Sequence, residues 1–368
     1  MLFSLLLCSL VCTQVLGNQA NGPIHWAVLV AGSSGWENYR HQADVCHAYQ
    51  LLLRNKIPPS NIITMMYDDV ARNPHNCYPG QLFNDYKHRD VYRGVQVDYR
   101  RDEVTPETFL RVLLGDPELK KAGKKVLESG PEDNVFIFFT DHGAQNLLAF
   151  PYAELHAREL QETLKKMYEQ NRYKNMVLYI EACYSGSMFE NLLPTNMSIF
   201  VTTAANAHES SWASFCNDPK IHTCLADEYS YTWMSDSETH DLNYWTLDDQ
   251  FQFVKRHVPS SHVMEYGDKK LSNMPVASFQ AGGKRSLPDN EQSVATKDSR
   301  PAIQAHLVHL MHQVKSANSP DEMERAHRHL HRALEVPEVA QELRKLDQLC
   351  KQGYEVEKIV QVIFDVCS

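Results

Sequence analysis

Short apolar runs recur along the first part of the chain, and stretches with helical spacing separate several of them. The apolar runs predict five buried strands, at Ile24–Val30, Ile62–Met66, Val135–Phe139, Met176–Ile180 and Ser198–Thr203. Helices are predicted over His41–Arg54, over Thr105–Leu114 and over Tyr152–Asn171. Strands that are apolar throughout are buried on both faces, so the alternation indicates an α/β domain with a largely parallel sheet.

The two ends of the chain differ from this pattern. Residues 1–17 are apolar and are followed by polar residues, which predicts a signal peptide rather than the alternative of a buried N-terminal helix. The run is shorter than the roughly 20 residues of a membrane span, and no other segment qualifies, so no transmembrane segment is expected. Residues 18–283 form the predicted main domain, 284–302 a polar linker and 303–368 a helical region.

Composition narrows the classes of function. The net charge of −10 argues against nucleic-acid binding, which requires a basic surface. No cofactor is expected. A metal site at Cys216 and Cys224 is disfavoured because only His222 lies near them in the sequence. Seven cysteines remain outside the predicted leader, and an odd number leaves at least one free thiol, which can be reactive.

His142 and Cys183 are the strongest candidates for chemistry. Each directly follows a predicted strand, at the sheet edge where parallel α/β folds bind ligands. A cysteine nucleophile needs a nearby imidazole as its base, and Gly143 allows a backbone N–H to approach a developing oxyanion. Taken singly, each residue also fits an inert turn histidine or a buried thiol. Together they predict a catalytic pair.

Several motifs resemble those of the legumains, a family of asparaginyl endopeptidases. They are Gly35–Asp44, Phe139–Gly143, Tyr179–Cys183, Thr202–Asn206, Glu209–Ser211 and Ser261–Met264. The resemblance covers roughly residues 23–280 and implies a caspase-like αβα sandwich. It also implies a His142–Cys183 dyad in which Asn38 orients His142.

The same resemblance implies a substrate pocket made by Arg40, His41, Glu181, Ser211 and Asp227. A carboxamide offers one acceptor oxygen and one donor NH₂ group. An arginine on one side and carboxylates on the other satisfy both, which favours asparagine, and aspartate is expected to fit only when protonated. The alternative is a purely structural ion-pair network.

Covalent modifications are predicted at other residues. Cys216 and Cys224 are eight positions apart around a loop, so a local disulfide is expected. Asn196 heads the sequon Asn-Met-Ser and is a predicted glycosylation site, although an unmodified loop remains the alternative. Cys77 has no assigned role.

The C-terminal region departs from the legumain pattern. Legumains carry a longer helical prodomain with four cysteines, and only Cys350 and Cys367 match the last two, so inhibition by this tail stays open. Self-cleavage is predicted after Asn318, with Asn290 as the fallback. Six histidines between His306 and His331 either sense acid or form a solvated helical face.

The predicted function is endopeptidase cleavage after asparagine, through an acyl-enzyme. Alternatives are a peptide ligase, the transamidase that attaches lipid anchors, and an inactive legumain-like binding protein. Protein and peptide substrates are the expected partners, with cystatin-type inhibitors possible. The expected location is the secretory pathway, leading to a lysosome or vacuole or to secretion.

Overall fold

The computed structural model describes residues 23–282 and 298–330. Its strands are β1 (His25–Ala31), β2 (Ile62–Met65), β3 (Asn134–Thr140), β4 (Gly143–Ala144), β5 (Leu147–Phe150), β6 (Ala153–His156), β7 (Asn175–Glu181), β8 (Ile199–Thr203), β9 (Trp212–Ser214), β10 (Ala226–Asp227), β11 (Met264–Gly267) and β12 (Arg300–Pro301). Its α-helices are α1 (Tyr39–Arg54), α2 (Pro106–Leu113), α3 (Pro117–Lys121), α4 (Ala157–Glu169), α5 (Glu228–Thr239), α6 (Leu247–His257), α7 (Ala277–Gln280) and α8 (His306–Ser316).

A six-stranded sheet forms the centre, in the order β11-β8-β7-β3-β1-β2. Five of its strands run parallel, and β11 pairs antiparallel with β8 at one edge. The prediction of an α/β domain with a largely parallel sheet is confirmed. Each of the five predicted strands lies within two residues of its observed bounds.

Alternate residues of the central strands face two separate hydrophobic cores. Along β3, Phe136 and Phe138 pack into the core that contains side chains of α1, α5, α6 and α7. Val135, Ile137 and Phe139 pack into the core on the opposite face, beneath α2 and α4. Burial on both faces explains why these strands are apolar throughout, and it gives the domain three layers.

One predicted helix begins too early. The sequence favoured helix from Tyr152, but residues 153–156 form β6, which pairs with β5, and α4 starts at Ala157. The Glu159 carboxylate accepts a hydrogen bond of 3.0 Å from the His156 N–H, which satisfies a donor at the helix start. The predicted start of α2 is confirmed. The Thr105 hydroxyl caps the helix by accepting a hydrogen bond from the Thr108 N–H.

The described part of the C-terminal region lies against the main domain. Strand β12, within the predicted linker, pairs antiparallel with β9, and β10 pairs with the other edge of β9. Helix α8 follows, and residues 320–330 are also helical. Among the described residues, no helix is both long and apolar enough to span a bilayer. The predicted signal peptide, Asn290, Cys350 and Cys367 lie outside the described residues.

Candidate active site

The two candidate catalytic residues follow neighbouring strands. Thr140, the last residue of β3, is paired with Glu181, the last residue of β7. The Asp141 N–H then donates to the Glu181 carbonyl at 3.1 Å, so the chain segments that carry His142 and Cys183 leave the sheet side by side. A side chain on Gly143 would collide with the Cys183 carbonyl oxygen, so only glycine permits this approach.

His142 is held by an amide from the start of α1. Its Nε2 lies 2.8 Å from Asn38 Oδ1, and since that oxygen only accepts, Nε2 carries the proton and Nδ1 keeps a lone pair. Burial lowers the pKa of His142 to about 3, with the charge of Arg40 acting in the same direction. The ring is therefore neutral near physiological pH and able to accept a proton. This is the orientation that the legumain resemblance implied for Asn38.

Cys183 is almost fully buried, with 1% of its surface exposed. Burial raises the pKa of its thiol, because a thiolate is costly to remove from water. Two hydroxyls face the sulfur, Ser210 Oγ at 3.2 Å and Ser211 Oγ at 3.8 Å. The sulfur is thus buried, and two serine hydroxyls are its polar neighbours.

The five predicted pocket residues lie in the same region, although distant parts of the chain supply them. Arg40 on α1 donates through Nε to Asp227 Oδ1 at 2.7 Å, across 187 positions of sequence. Asp227 also faces His41, whose Nε2 lies 3.6 Å from Asp227 Oδ2. Ser211 Oγ lies 3.8 Å from Cys183 Sγ, and Glu181 is the last residue of β7, the strand that precedes Cys183.

The pocket contains two buried polar atoms without partners. Arg40 Nη2 is a donor and Glu181 Oε1 an oxygen, and neither has a hydrogen-bond partner within the described residues. Leaving such atoms unpaired costs roughly 1–3 kcal/mol each. An unpartnered donor and an unpartnered oxygen are the two kinds of atom that the ends of a carboxamide require.

The pocket is rich in buried acid groups. Burial raises the pKa of Glu181 well above its usual range, and the nearby charge of Asp227 raises it further. Burial also raises the pKa of Asp227, although its buried ion pair with Arg40 acts in the opposite direction. Proton uptake by Glu181 therefore begins at a higher pH than for an exposed carboxyl.

Three supporting residues did not appear among the sequence predictions. The Ser33 hydroxyl is 2.6 Å from His41 Nδ1, and Asp141 Oδ1 lies 3.2 Å from the same nitrogen. Asp44 accepts from the Asp227 N–H and from the Asn84 side chain. Asp141 directly precedes His142, and Asp44 lies one helical turn after Arg40. Both are part of the motifs that resemble legumains, and this position is the signal that could have identified them.

One group of side chains has the spacing of metal ligands. Within residues 23–282 and 298–330, ligand atoms of His41, Asp141 and His142 lie within 4.8 Å of one another. Ring nitrogens of both histidines are already engaged, by Ser33 and by Asn38. The arrangement is that of a hydrogen-bonded network that orients the imidazoles.

The predicted modification sites are placed as follows. Cys216 and Cys224 form a disulfide. Asn196 and Asn318 are both exposed, and Asn318 lies between α8 and the next helical segment. Cys77 is an exposed free thiol.

Histidines of the tail face histidines of the main domain. The rings of His312 and His222 are stacked at 3.4 Å, and those of His309 and His75 meet edge to face at 4.8 Å. Ala305 is fully buried against the Cys216–Cys224 disulfide. Helix α8 also contacts the segment Trp36–Asn38, whose Asn38 holds the His142 ring, so the tail lies close to the candidate dyad.

A cysteine and a neutral imidazole at adjacent strand ends, beside a polar pocket, define the site of a cysteine peptidase. The family described as Peptidase C13 matches residues 25–282. The chain belongs to the Peptidase C13 family, and it is a cysteine endopeptidase.

Named relatives share most of this sequence. It is 50% identical over 309 residues to hemoglobinase of Schistosoma japonicum, which covers 84% of this chain and 72% of that protein. It is 45% identical over 346 residues to legumain of Homo sapiens, covering 92% and 79%. It is 47% identical over 274 residues to vacuolar-processing enzyme beta-isozyme 1 of Oryza sativa subsp. japonica, covering 70% and 55%. A solved caspase-1 from Spodoptera frugiperda aligns with a TM-score of 0.42 at 9% identity, covering 72% of this chain and 94% of that one.

Proposed function

We propose that this chain hydrolyses peptide bonds on the carboxyl side of asparagine, with Cys183 as nucleophile and His142 as its base. The observation that carries the specificity is the pair of buried unpartnered atoms, Arg40 Nη2 and Glu181 Oε1. A substrate carboxamide would accept from the first and donate to the second. An apolar side chain of the same size would leave both atoms unpaired, which binding sites discriminate against strongly.

The proposed reaction proceeds through an acyl-enzyme. His142 takes the proton of the Cys183 thiol, the sulfur attacks the main-chain carbonyl carbon of the asparagine, and the oxygen of that carbonyl becomes negatively charged. The Gly143 N–H stabilises that oxyanion. His142 then gives its proton to the leaving amine, and water hydrolyses the thioester after losing a proton to the same imidazole. Asn38 fixes the imidazole throughout by accepting from Nε2.

Aspartate would be accepted only with an additional proton. Its carboxylate would place a second negative charge beside Glu181, unless one proton is shared between the two groups. Burial raises the pKa of Glu181, so this proton is taken up above the range of an exposed carboxyl. Cleavage after aspartate should therefore increase as the pH falls, whereas cleavage after asparagine requires no such proton.

Matched peptides that differ only in the residue before the cut test the specificity. With asparagine, aspartate, glutamine and leucine peptides, we expect kcat/KM to be highest for asparagine, and about 100-fold or more above that for leucine. Cys183→Ala should abolish every cleavage. Equal rates for asparagine and leucine would contradict the proposal.

A pocket variant separates specificity from stability. Glu181→Gln replaces one carboxyl oxygen by an NH₂ group, which cannot accept from the substrate NH₂ group, so the preference for asparagine should fall about tenfold or more. Glu238→Gln is the matched control, because Glu238 is a largely buried carboxylate that pairs with His47 instead. That control should lower thermal stability and leave the asparagine preference unchanged.

Hydrolysis is favoured over the alternative of peptide ligation. The family is named for peptidases, and the relatives reported above carry the names hemoglobinase, legumain and vacuolar-processing enzyme. Water and an incoming amine would compete for the same thioester. A ratio of ligated to hydrolysed product above one, at equal peptide concentrations, would instead favour the ligase.

The remaining proposals concern the protein's cellular location, its glycosylation and its inhibitors. We infer entry into the secretory pathway through residues 1–17, glycosylation at the exposed Asn196 and action in a lysosome or vacuole or after secretion. The name of the vacuolar rice relative supports the compartment. Cystatin-type inhibitors are proposed partners that would occupy the same cleft as substrates.

A further inference from the structure

The loop that follows β8 reaches back over the catalytic sulfur. Its Glu209 carboxylate accepts from the Asn206 N–H at 3.0 Å and from the His262 N–H at 2.8 Å. The Glu209 carbonyl accepts from the Tyr184 N–H at 2.8 Å, directly beyond Cys183. The loop is therefore fixed at both sides, and Ser210 has little freedom to move away from the sulfur.

Ser210 makes two contacts that link the sulfur to the backbone. Its Oγ lies 3.2 Å from Cys183 Sγ and donates to the Ser211 carbonyl at 2.8 Å. With a neutral thiol, the S–H can donate to Ser210 Oγ while the hydroxyl donates to Ser211. When the sulfur loses its proton, it can only accept, and rotation of the Ser210 hydroxyl turns its proton toward the sulfur.

We propose that Ser210 is a catalytic residue that stabilises the Cys183 thiolate through this hydroxyl. The inference deepens the proposed function, because it concerns the same sulfur. A buried thiolate needs a donor, and a hydrogen bond to an ionised acceptor is stronger than one to a neutral acceptor. In the thiolate state the hydroxyl gives up its bond to Ser211, and the proton of the thiol moves to His142.

The other groups around the sulfur make this donor necessary. Glu181, on the strand before Cys183, raises the pKa of the thiol, as burial does. His142, on the neighbouring strand end, is neutral until it takes the thiol proton, its low pKa makes it a weak base, and Arg40 forms an ion pair with Asp227. The Glu209 carboxylate pairs with His262 at 2.9 Å. Ser210 and the neighbouring Ser211 therefore provide the polar contacts that lower the pKa of the thiol.

The test measures ionisation of Cys183 without any substrate. The full chain is treated with iodoacetamide across a pH series, and mass spectrometry follows alkylation of the peptide that contains Cys183, separately from the exposed Cys77. Ser210→Ala should raise the midpoint by about one unit, equivalent to a tenfold loss of thiolate below the midpoint. Ser210→Thr keeps the hydroxyl and should restore most of the wild-type profile.

Ser185→Ala is the matched control. Ser185 is buried near the same sulfur in sequence, but its hydroxyl bonds the backbone of Ala205. Its removal should leave the alkylation midpoint unchanged. An unchanged midpoint in Ser210→Ala, or an equal shift in Ser185→Ala, would overturn the inference. Because the assay needs no peptide cleavage, its outcome is separate from that of the asparagine-specificity test.

Discussion

Acid should release the tail helix α8 from the main domain. His309, with 8% of its surface exposed, lies against His75, and His312 is stacked on His222. Burial lowers the pKa of His309 to about 4, and the charges of His75, His312 and His222 lower it further in the same direction. Burial likewise lowers the pKa of His312, with His222 and Lys315 contributing.

The magnitude follows from the difference between docked and undocked states. An undocked histidine has a pKa of about 6.5, and each unit of difference is equivalent to about 1.4 kcal/mol. A group whose pKa is lowered by docking stabilises the docked state above pH 6.5, and that stabilisation decreases as the pH falls toward 4. His309 alone therefore changes the docking free energy by at most about 3 to 4 kcal/mol, or about 300-fold in the equilibrium.

Few opposing charges offset this effect. Asp218 belongs to the loop that carries His222, but its carboxylate pairs with His88 at 2.5 Å. Lys315, on α8 itself, adds positive charge beside His312. Protonation at this interface therefore adds repulsion between the tail and the main domain.

Hydrogen exchange read by mass spectrometry measures the release directly. In a Cys183→Ala background, which prevents self-processing, amide protection of α8 is compared between about pH 7 and about pH 4, after correction for the intrinsic rate. We expect protection to fall in acid, and a His309→Gln/His312→Gln variant to lose that dependence. His327→Gln, at an exposed position of the next helical segment, is the control. Equal protection of α8 at both pH values would refute the reasoning.

Further predictions concern catalysis and processing. His142→Ala should lower kcat/KM by about four orders of magnitude, and adding Cys183→Ala should lower it little further, as peptide cleavage kinetics will show. Asn38→Ala should lower kcat about tenfold by freeing the His142 ring, with thermal stability nearly unchanged. Asn318→Gln should abolish the cut after position 318 in acid, as seen by intact mass, and leave only cleavage after Asn290. New termini at neither Asn318 nor Asn290 in the wild-type protein would contradict self-processing.

The central strands and the position of the proposed dyad could be predicted from the sequence. Strands buried on both faces are apolar throughout, and this pattern places His142 and Cys183 at two strand ends without further information. The pairing of those ends follows because neighbouring strands run parallel. Helix α2 was equally clear, since Thr105 and Pro106 mark its start.

Other elements leave no local signal. The strands β9, β10 and β12 have two or three residues each, too few to show a period of two. Strand β6 was missed because it directly precedes a strongly helical stretch. The contact between Arg40 and Asp227 spans 187 positions, so only the family resemblance could suggest it. Docking of α8 depends on contacts between its histidines and histidines of the main domain. The sequence shows that histidines are clustered in the tail, but it does not show what they contact.

The central claim is that Cys183 attacks the main-chain carbonyl of an asparagine whose side chain is held in the adjacent pocket. A peptide that ends in a chloromethyl ketone at the carbonyl of the asparagine reports this in one experiment, because the sulfur displaces chloride and is left in a stable thioether. Mass spectrometry should find the label on the peptide containing Cys183, and a matched leucine probe should label it far more slowly. Labelling mainly at Cys77, or equal labelling of Cys183 by both probes, would contradict the account.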